Sequence, residues 1–270
     1  MRTSMEDFAH RYGPVAVVTG ASSGIGRSFA TQLATRKIDL VLVARRLDRL
    51  LALAEELSGE HGVQITVQQA DLADPTAAAR IVDAISALDV GLLISNAGFG
   101  VKGAFELGDA RTLTDMMTVN CHTPTQLAHG LVPHLKRRGR GGILFTSSVE
   151  GFLGCPFSAG YSASKAYVNA LGEALWGELT PAGVDVLTLC PGATDTEAPR
   201  LQGIDPASLH DLMSPDDVAA SALEHLRHGP IHVPSEHYRG QFEQLLGLPR
   251  DQALTAMAKA VSSARKPLPG

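Results

Sequence analysis

Tyr161 and Lys165 stand four residues apart in the run Tyr161-Ser162-Ala163-Ser164-Lys165. On a helix that spacing puts both side chains on one face, one turn apart. An ammonium beside a phenol favours phenolate and lowers the phenol's pKa from its reference of about 10. A tyrosine titrating closer to neutrality serves as a general acid or base. Alone, the pair reads equally as a surface tyrosine and a solvated lysine, so its meaning rests on what the chain places around it.

A second run, Thr19-Gly20-Ala21-Ser22-Ser23-Gly24-Ile25-Gly26, lies between an apolar stretch at 15–19 and an amphipathic one at 27–36. Glycines in a strand–turn–helix setting permit a tight turn and close approach of backbone to a pyrophosphate. The helix N-terminus adds N–H groups and partial positive charge. Gly20, Ser22, Ser23, Gly24, Ile25 and Gly26 are therefore candidate dinucleotide contacts. The apolar stretch 40–44 is followed by Arg45 and Arg46, with Arg45 nineteen residues after Gly26. A carboxylate near this point suits the ribose 2′-hydroxyl of NAD, whereas an arginine fork grips a 2′-phosphate. The sequence predicts NADP(H) over NAD(H), with Arg45 as the first candidate and Arg46 as the second.

Short apolar runs at 15–19, 40–44, 90–95, 142–147, 184–190 and 231–233, and an alternating stretch at 64–69, read as strands. Amphipathic segments at 27–36, 47–60, 75–87, 109–138, 158–178 and 214–227 read as helices, the fourth as one long helix or two, with Pro124 and Pro133 marking bends or boundaries. Continuously apolar strands alternating with helices predict an α/β fold. It is a single-domain Rossmann-type doubly wound parallel sheet, residues 1–270, with helices on both faces. Segment 197–213, with three helix breakers, is expected to be a substrate flap. Segment 237–270 is a C-terminal extension that covers the pocket or forms a second interface, with a frayed tail from 262.

A net charge of −5 gives no basic footprint for nucleic acid. Cys121, Cys155 and Cys190 have no disulfide-like spacing, and the histidines lack metal-ligand spacing, so no metal is expected and a reducing compartment is. Residues 1–13 have no leader-like apolar core, and no apolar run reaches the roughly 20 residues of a membrane span. The expectation is a soluble cytoplasmic protein with no membrane partner.

Taken in order, these motifs resemble the short-chain dehydrogenase/reductase family, in its compact branch, over residues 15–233. The glycine run is followed by Asp71-Leu72, Asn96-Ala97-Gly98, Asn120, Ser148 thirteen residues before Tyr161, and Pro191-Gly192 with Thr196 four residues on. The stretches 43–50 and 147–149 look most like NADP-preferring bacterial reductases of unassigned substrate. Two positions depart from the pattern: Ser95 stands where a second Asn is usual, and Glu150 where a small residue is. Glu150 either contacts a substrate donor or faces solvent.

The resemblance implies hydride transfer between a nicotinamide cofactor and a carbonyl or alcohol. Tyr161 would donate or accept the proton, and Ser148 would hydrogen-bond the developing oxyanion. Lys165 would hold the nicotinamide ribose, and Asn120 a water linking Lys165 to solvent. Asp71 would lie by the adenine, with Leu72 beside it. Asn96, Ala97, Gly98, Pro191, Gly192, Thr194 and Thr196 would frame the nicotinamide ribose and carboxamide. Ser147 competes with Ser148, Thr194 with Thr196, and Tyr167 with Tyr161, although no lysine follows Tyr167 by four. Two other functions fit the fold: a cofactor-sensing protein without turnover, and an epimerase or dehydratase. Family members assemble through helices like 109–138 and 158–178, which implies a homodimer or homotetramer. Phe99, Phe105, Phe152, Leu153, Phe157, Leu201 and Leu209 line an apolar pocket if they are not core. A medium-sized apolar ketone is the expected substrate.

Overall fold

A computed structural model describes residues 5–202 and 204–264. Its seven strands are β1 (Val15–Thr19), β2 (Asp39–Ala44), β3 (Ile65–Gln69), β4 (Val90–Ser95), β5 (Gly141–Thr146), β6 (Val184–Leu189) and β7 (Ile231–His232). They pair in parallel in the order β3-β2-β1-β4-β5-β6-β7. The helices are α1 (Met5–Tyr12), α2 (Gly24–Thr35), α3 (Leu47–His61), α4 (Ala77–Ala84), α5 (Ala110–Met117), α6 (Thr123–Arg138), α7 (Ala159–Leu179), α8 (Glu197–Leu201), α9 (Pro215–His225), α10 (Glu236–Leu246) and α11 (Arg250–Ala264). The strand order reverses between β1 and β4. A doubly wound sheet opens a crevice there, beyond the carboxyl ends of its strands.

Alternate residues of each strand point to opposite faces. Ala16, Val18, Leu40, Leu42, Leu92 and Ile94 pack under α2, α3 and α9 with Phe29, Leu33, Leu53 and Val218. Val17, Val41, Leu93, Ile143 and Phe145 pack on the other face with Ile81, Leu127, Leu131 and Val168 of α4, α6 and α7. Burial on both faces explains why the strands read as unbroken apolar runs. Truncation of a fully buried side chain such as Leu33→Ala costs about 2–5 kcal/mol.

The N-terminal segment departs from the sequence reading, and the 109–138 segment takes the second of its two expected forms. Residues 5–12 form α1, which buries Phe8 and Tyr12 and anchors to β6. Arg11 forms an ion pair with Asp185, and the Tyr12 hydroxyl donates to the same carboxylate at 2.6 Å. The 109–138 segment is two helices joined by a π-turn at Thr118–His122. Pro124 sits in the first turn of α6, where its missing N–H costs nothing, and Pro133 lies inside α6. The π-turn widens the helix at Asn120, and such insertions concentrate at functional positions. The C-terminal tail expected from residue 262 is helical to Ala264, and the rest lies outside the described residues.

Candidate active site

The floor of the crevice is a polar staple between β1, β4 and β5. Thr19 Oγ1 accepts from the backbone N–H of Asn96 and of Ala97, each at 3.0 Å. The Asn96 amide donates to the Thr19 carbonyl at 3.2 Å and accepts from the Thr146 hydroxyl at 3.2 Å. Asn96 and Ala97 thus follow directly on β4, and the Asn96 side chain holds strands together.

The glycine run forms the turn from β1 into α2. A Cβ on Gly26 would stand 2.2 Å from the Gly20 carbonyl oxygen, so only glycine fits there. Gly24 has φ +53°, and a Cβ on it would meet the Thr196 methyl at 3.0 Å. The N-terminus of a twelve-residue helix and a side-chain-free backbone make a cradle that fits a dinucleotide pyrophosphate. Ile25 packs against the core below, while Ser22 and Ser23 turn to an arginine.

That arginine is Arg46. Its guanidinium donates to Ser22 Oγ at 3.1 Å, Ser23 Oγ at 2.6 Å and Glu197 Oε2 at 2.8 Å. Arg45, the first candidate, is exposed, and it is its backbone carbonyl that is bonded, by Gln69. Of the two, Arg46 is the one whose guanidinium reaches the glycine turn. As residue 46 caps α3, its side chain is thrown back over the glycine turn. Arg49, one turn on, binds the other oxygen of Glu197 at 2.7 Å. These two arginines hold the Glu197 carboxyl at about 2, well below its ordinary value.

Tyr161 and Lys165 lie on α7, as the spacing requires. Lys165 Nζ is 5.5 Å from the Tyr161 ring centroid and donates to the Thr146 carbonyl at 2.9 Å. The expected electrostatic effect is not what dominates here. Burial, reinforced by the Glu150 carboxylate, pushes the Tyr161 phenol above its ordinary value, and a hydrogen bond with the Ser148 hydroxyl pulls the other way. Burial lowers Lys165 to about 8, because the same low-dielectric surroundings penalise its cation. Ser148 Oγ also accepts from the Glu150 N–H at 3.2 Å. Ser147, its competitor, donates into the Lys165 carbonyl at 3.0 Å and is buried there. Tyr167 bonds Thr125 at 2.8 Å on an exposed face.

Asn120 is buried, and its side chain clamps neighbouring backbone. It accepts from the Phe99 N–H at 3.1 Å, and donates to the Phe99 carbonyl and to Ser164 Oγ at 2.9 Å each. A Cβ on Gly98 would lie 3.1 Å from Asn120 Oδ1 and 3.2 Å from Lys165 Nζ, so these three residues meet. Asp71 makes a local turn, accepting from Ala73 N–H at 3.1 Å. The Leu72 side chain is core, and its carbonyl accepts from Thr123 at 3.1 Å.

Pro191 and Gly192 follow β6. A Cβ on Gly192 would overlap the Tyr238 ring, so α10 lies directly on this turn. Thr194 is buried and donates to the Gly192 carbonyl at 3.3 Å, whereas Thr196 caps α8. Of the apolar candidates, Phe152 and Leu153 pack with Phe242 and Met257, and Phe99 with the sheet. Phe105 and Leu201 stand open to solvent. Sequence reasoning missed Glu197, Lys102 and Tyr238. Long-range partners of the first two are read only from three-dimensional contacts. Tyr238 carried a signal in its apolar neighbours, Phe242 and Leu245.

Among the described residues no group of His, Cys, Asp and Glu side chains could hold a metal, and no helix is long and apolar enough to cross a membrane. The three cysteines are free and buried.

Fold and crevice together define a dinucleotide-binding oxidoreductase. The family model for short chain dehydrogenases matches residues 14–203. The chain is 31% identical over 254 residues to 7beta-hydroxysteroid dehydrogenase of Clostridium sardiniense, covering 94% of this chain and 97% of that one. A short-chain dehydrogenase from Sphingobium yanoikuyae, solved with NADPH, superposes with a TM-score of 0.81 at 34% identity, covering 96% of this chain and 98% of that one. The bulky-bulky ketone specific alcohol dehydrogenase from Comamonas testosteroni gives 0.76 at 32% identity, covering 96% and 98%. The chain belongs to the short-chain dehydrogenase/reductase family. It is an oxidoreductase acting on CH–OH and C=O groups.

Proposed function

We propose that this protein is an NADP(H)-preferring carbonyl reductase or alcohol dehydrogenase for a bulky apolar ketone, with Tyr161 as its general acid and base. The observation that carries the assignment is the convergence of Tyr161, Ser148 and Lys165 at the crevice, next to a glycine cradle. When bound, the nicotinamide supplies or accepts the hydride. Tyr161 passes the proton to the carbonyl oxygen in reduction and takes it from the alcohol in oxidation. Ser148 offers its hydroxyl to the same oxygen as negative charge develops. While Lys165 keeps its proton, below a pH of about 8, its ammonium favours phenolate once Tyr161 has given its proton to the substrate. Asn120 acts through geometry, holding the Phe99 backbone and Ser164 around that pair. Gly98, Pro191, Gly192, Thr194 and Thr196 border the nicotinamide side, and Asp71 and Leu72 the adenine side.

Arg46 supports the phosphorylated cofactor, with Arg49 beside it and Arg45 further out. A carboxylate at residue 46 would repel a 2′-phosphate; a guanidinium attracts it. The bulk of the substrate is inferred from the two relatives named for a hydroxysteroid and for bulky ketones. Phe152, Phe242 and Tyr238 pack together behind residues 149–155, an apolar backing that suits such a molecule. We further read the chain as one cytoplasmic domain that assembles through α5, α6 and α7. Exposed Met117 on α5 and exposed Tyr167 and Trp176 on α7 support that assembly. A panel of steroid, aryl and short aliphatic ketones, followed by loss of NADPH absorbance, tests the function. Turnover of bulky ketones over short ones is expected; NADH preferred over NADPH, or no turnover of any ketone, overturns it.

A further inference from the structure

One cluster of charges faces Tyr161 and has no part in the roles assigned so far. Lys102 lies in the connection after β4, Glu150 in the turn Val149–Gly151 after β5, and Ser158 at the N-cap of α7. Lys102 Nζ donates to Glu150 Oε1 at 2.6 Å, Oε2 at 2.8 Å and Ser158 Oγ at 2.8 Å. Ser158 Oγ in turn donates to Glu150 Oε2 at 2.6 Å. The ion pair is only 24% exposed on each side. Both carboxylate oxygens are engaged within the protein, which answers whether Glu150 faces substrate or solvent.

The cluster also touches the acid–base machinery. Lys102 Nζ stands 5.4 Å from the Tyr161 ring centroid, almost matching Lys165 at 5.5 Å. The Glu150 N–H donates to Ser148 Oγ. We propose that Lys102 and Glu150 are positioning residues that act on Tyr161 as opposed charges, setting the pH at which it passes from acid to base. The proposal rests on Tyr161 being the general acid and base.

The physical reasoning is a balance. A lone carboxylate near the phenol favours its protonated form, and a lone ammonium favours phenolate. At an effective dielectric constant of about 20, a unit charge some 6 Å away shifts a pKa by about two units, and less where solvent reaches it. Paired at 2.6 Å, the two charges act on the phenol in opposite senses. The other groups facing Tyr161 leave this balance in control. Lys165 is present in wild type and in every variant, so its effect on the phenol is common to all of them, and Ser148 and Gln202 are neutral. Burial pushes the Cys190 thiol up to about 12, so it carries no charge at working pH. Glu150 is the charged neighbour whose influence on the phenol is largest, and it acts upward.

Oxidation of an alcohol needs Tyr161 as base, so activity falls as pH drops through the phenol's pKa. The pH profile of kcat/KM for alcohol oxidation therefore reads the balance directly. Glu150→Gln removes the carboxylate and leaves Lys102 unopposed, so the acid limb moves about one unit lower. Lys102→Met leaves Glu150 unopposed, so the limb moves about one unit higher. The double variant returns to within about a third of a unit of wild type. Glu150→Asp keeps the charge and should keep the limb, whatever it costs in kcat. Shifts in the same direction for both single variants, or an unmoved limb with a lowered kcat, would mean the pair only braces the loops, and the proposal falls. Should Lys102→Met not fold, the isosteric Glu150→Gln with Glu150→Asp carries the same decision. Tyr161→Phe separates the two layers: retained turnover with the same limb overturns Tyr161 as acid and base, whereas lost turnover with unmoved limbs in the charge variants overturns only the balance.

Discussion

The Arg46 guanidinium and the Glu197 carboxylate meet at 2.8 Å, joining the start of α3 to the first turn of α8 across the mouth of the crevice. On the proposed NADP(H) preference, the carboxylate occupies donors that a 2′-phosphate would use. The same guanidinium holds Ser22 and Ser23, so the glycine turn and α8 share one cation.

Arg46→Ala is expected to raise KM for NADPH by about 10- to 100-fold, the worth of charge-assisted hydrogen bonds of roughly 1.5–3 kcal/mol. KM for NADH should stay within about twofold. Glu197→Gln should act in the opposite sense, lowering KM for NADPH by a few fold. The pair is partly exposed, and such pairs contribute about 0–1 kcal/mol. Arg45→Ala should change either constant less than Arg46→Ala does. Steady-state titration of both cofactors at fixed ketone checks all three.

Tyr161→Phe should lower kcat by about 10²–10⁴, the span a general acid contributes. Ser148→Ala should lower it by about 10²–10³, as loss of one oxyanion donor does. Neither change removes a group from the glycine cradle, so NADPH binding measured by fluorescence should persist in both. Ser147→Ala leaves the oxyanion donor in place. Its cost should appear in thermal stability, because Ser147 anchors the Lys165 carbonyl of α7.

Most of this architecture was legible because it is written in local signals. Residues 15–18 and 92–94 are unbroken apolar runs, the pattern that burial on both faces of a parallel sheet produces. The Tyr161–Lys165 spacing needed only helical periodicity. What was not legible depends on partners distant in sequence. Residues 5–12 look polar, and their helix exists because Arg11 and Tyr12 reach Asp185, more than 170 positions on. Arg45 and Arg46 are alike in composition; the turn into α3 decides which one faces the glycines. The effect of Lys165 on Tyr161 was overestimated because burial, which sequence does not reveal, raises the phenol further than a lysine 5.5 Å from the ring centroid offsets.

Gly26→Ala should abolish cofactor binding and lower stability together. Its Cβ would lie 2.2 Å from the Gly20 carbonyl oxygen and 2.6 Å from the Asn96 amide. Neither the backbone turn nor the Thr19–Asn96 staple has room to give. Gly59→Ala on exposed α3, where a Cβ meets nothing within 4 Å, serves as the control and should be neutral or slightly stabilising. Thermal melts with and without NADPH distinguish the two losses.

His232, at the end of β7, stacks on His225 with ring centroids 3.9 Å apart and planes 13° from parallel. Its Nε2 lies 2.7 Å from the Ser221 hydroxyl. Burial lowers its pKa from 6.5 to about 4, and the neighbouring His225 and Arg239 act in the same direction. The folded protein therefore resists a proton that the unfolded chain accepts below pH 6.5. Stability from this group is complete above 6.5 and falls as pH drops toward about 4, because the unfolded state binds more protons throughout that window. Thermal melts across the window should show a declining midpoint in the wild type. His232→Gln cannot titrate, so its decline should be shallower, even where its midpoint at neutral pH is lower for want of the stack. Parallel declines in the two proteins would show that other groups, and not His232, account for the loss in acid.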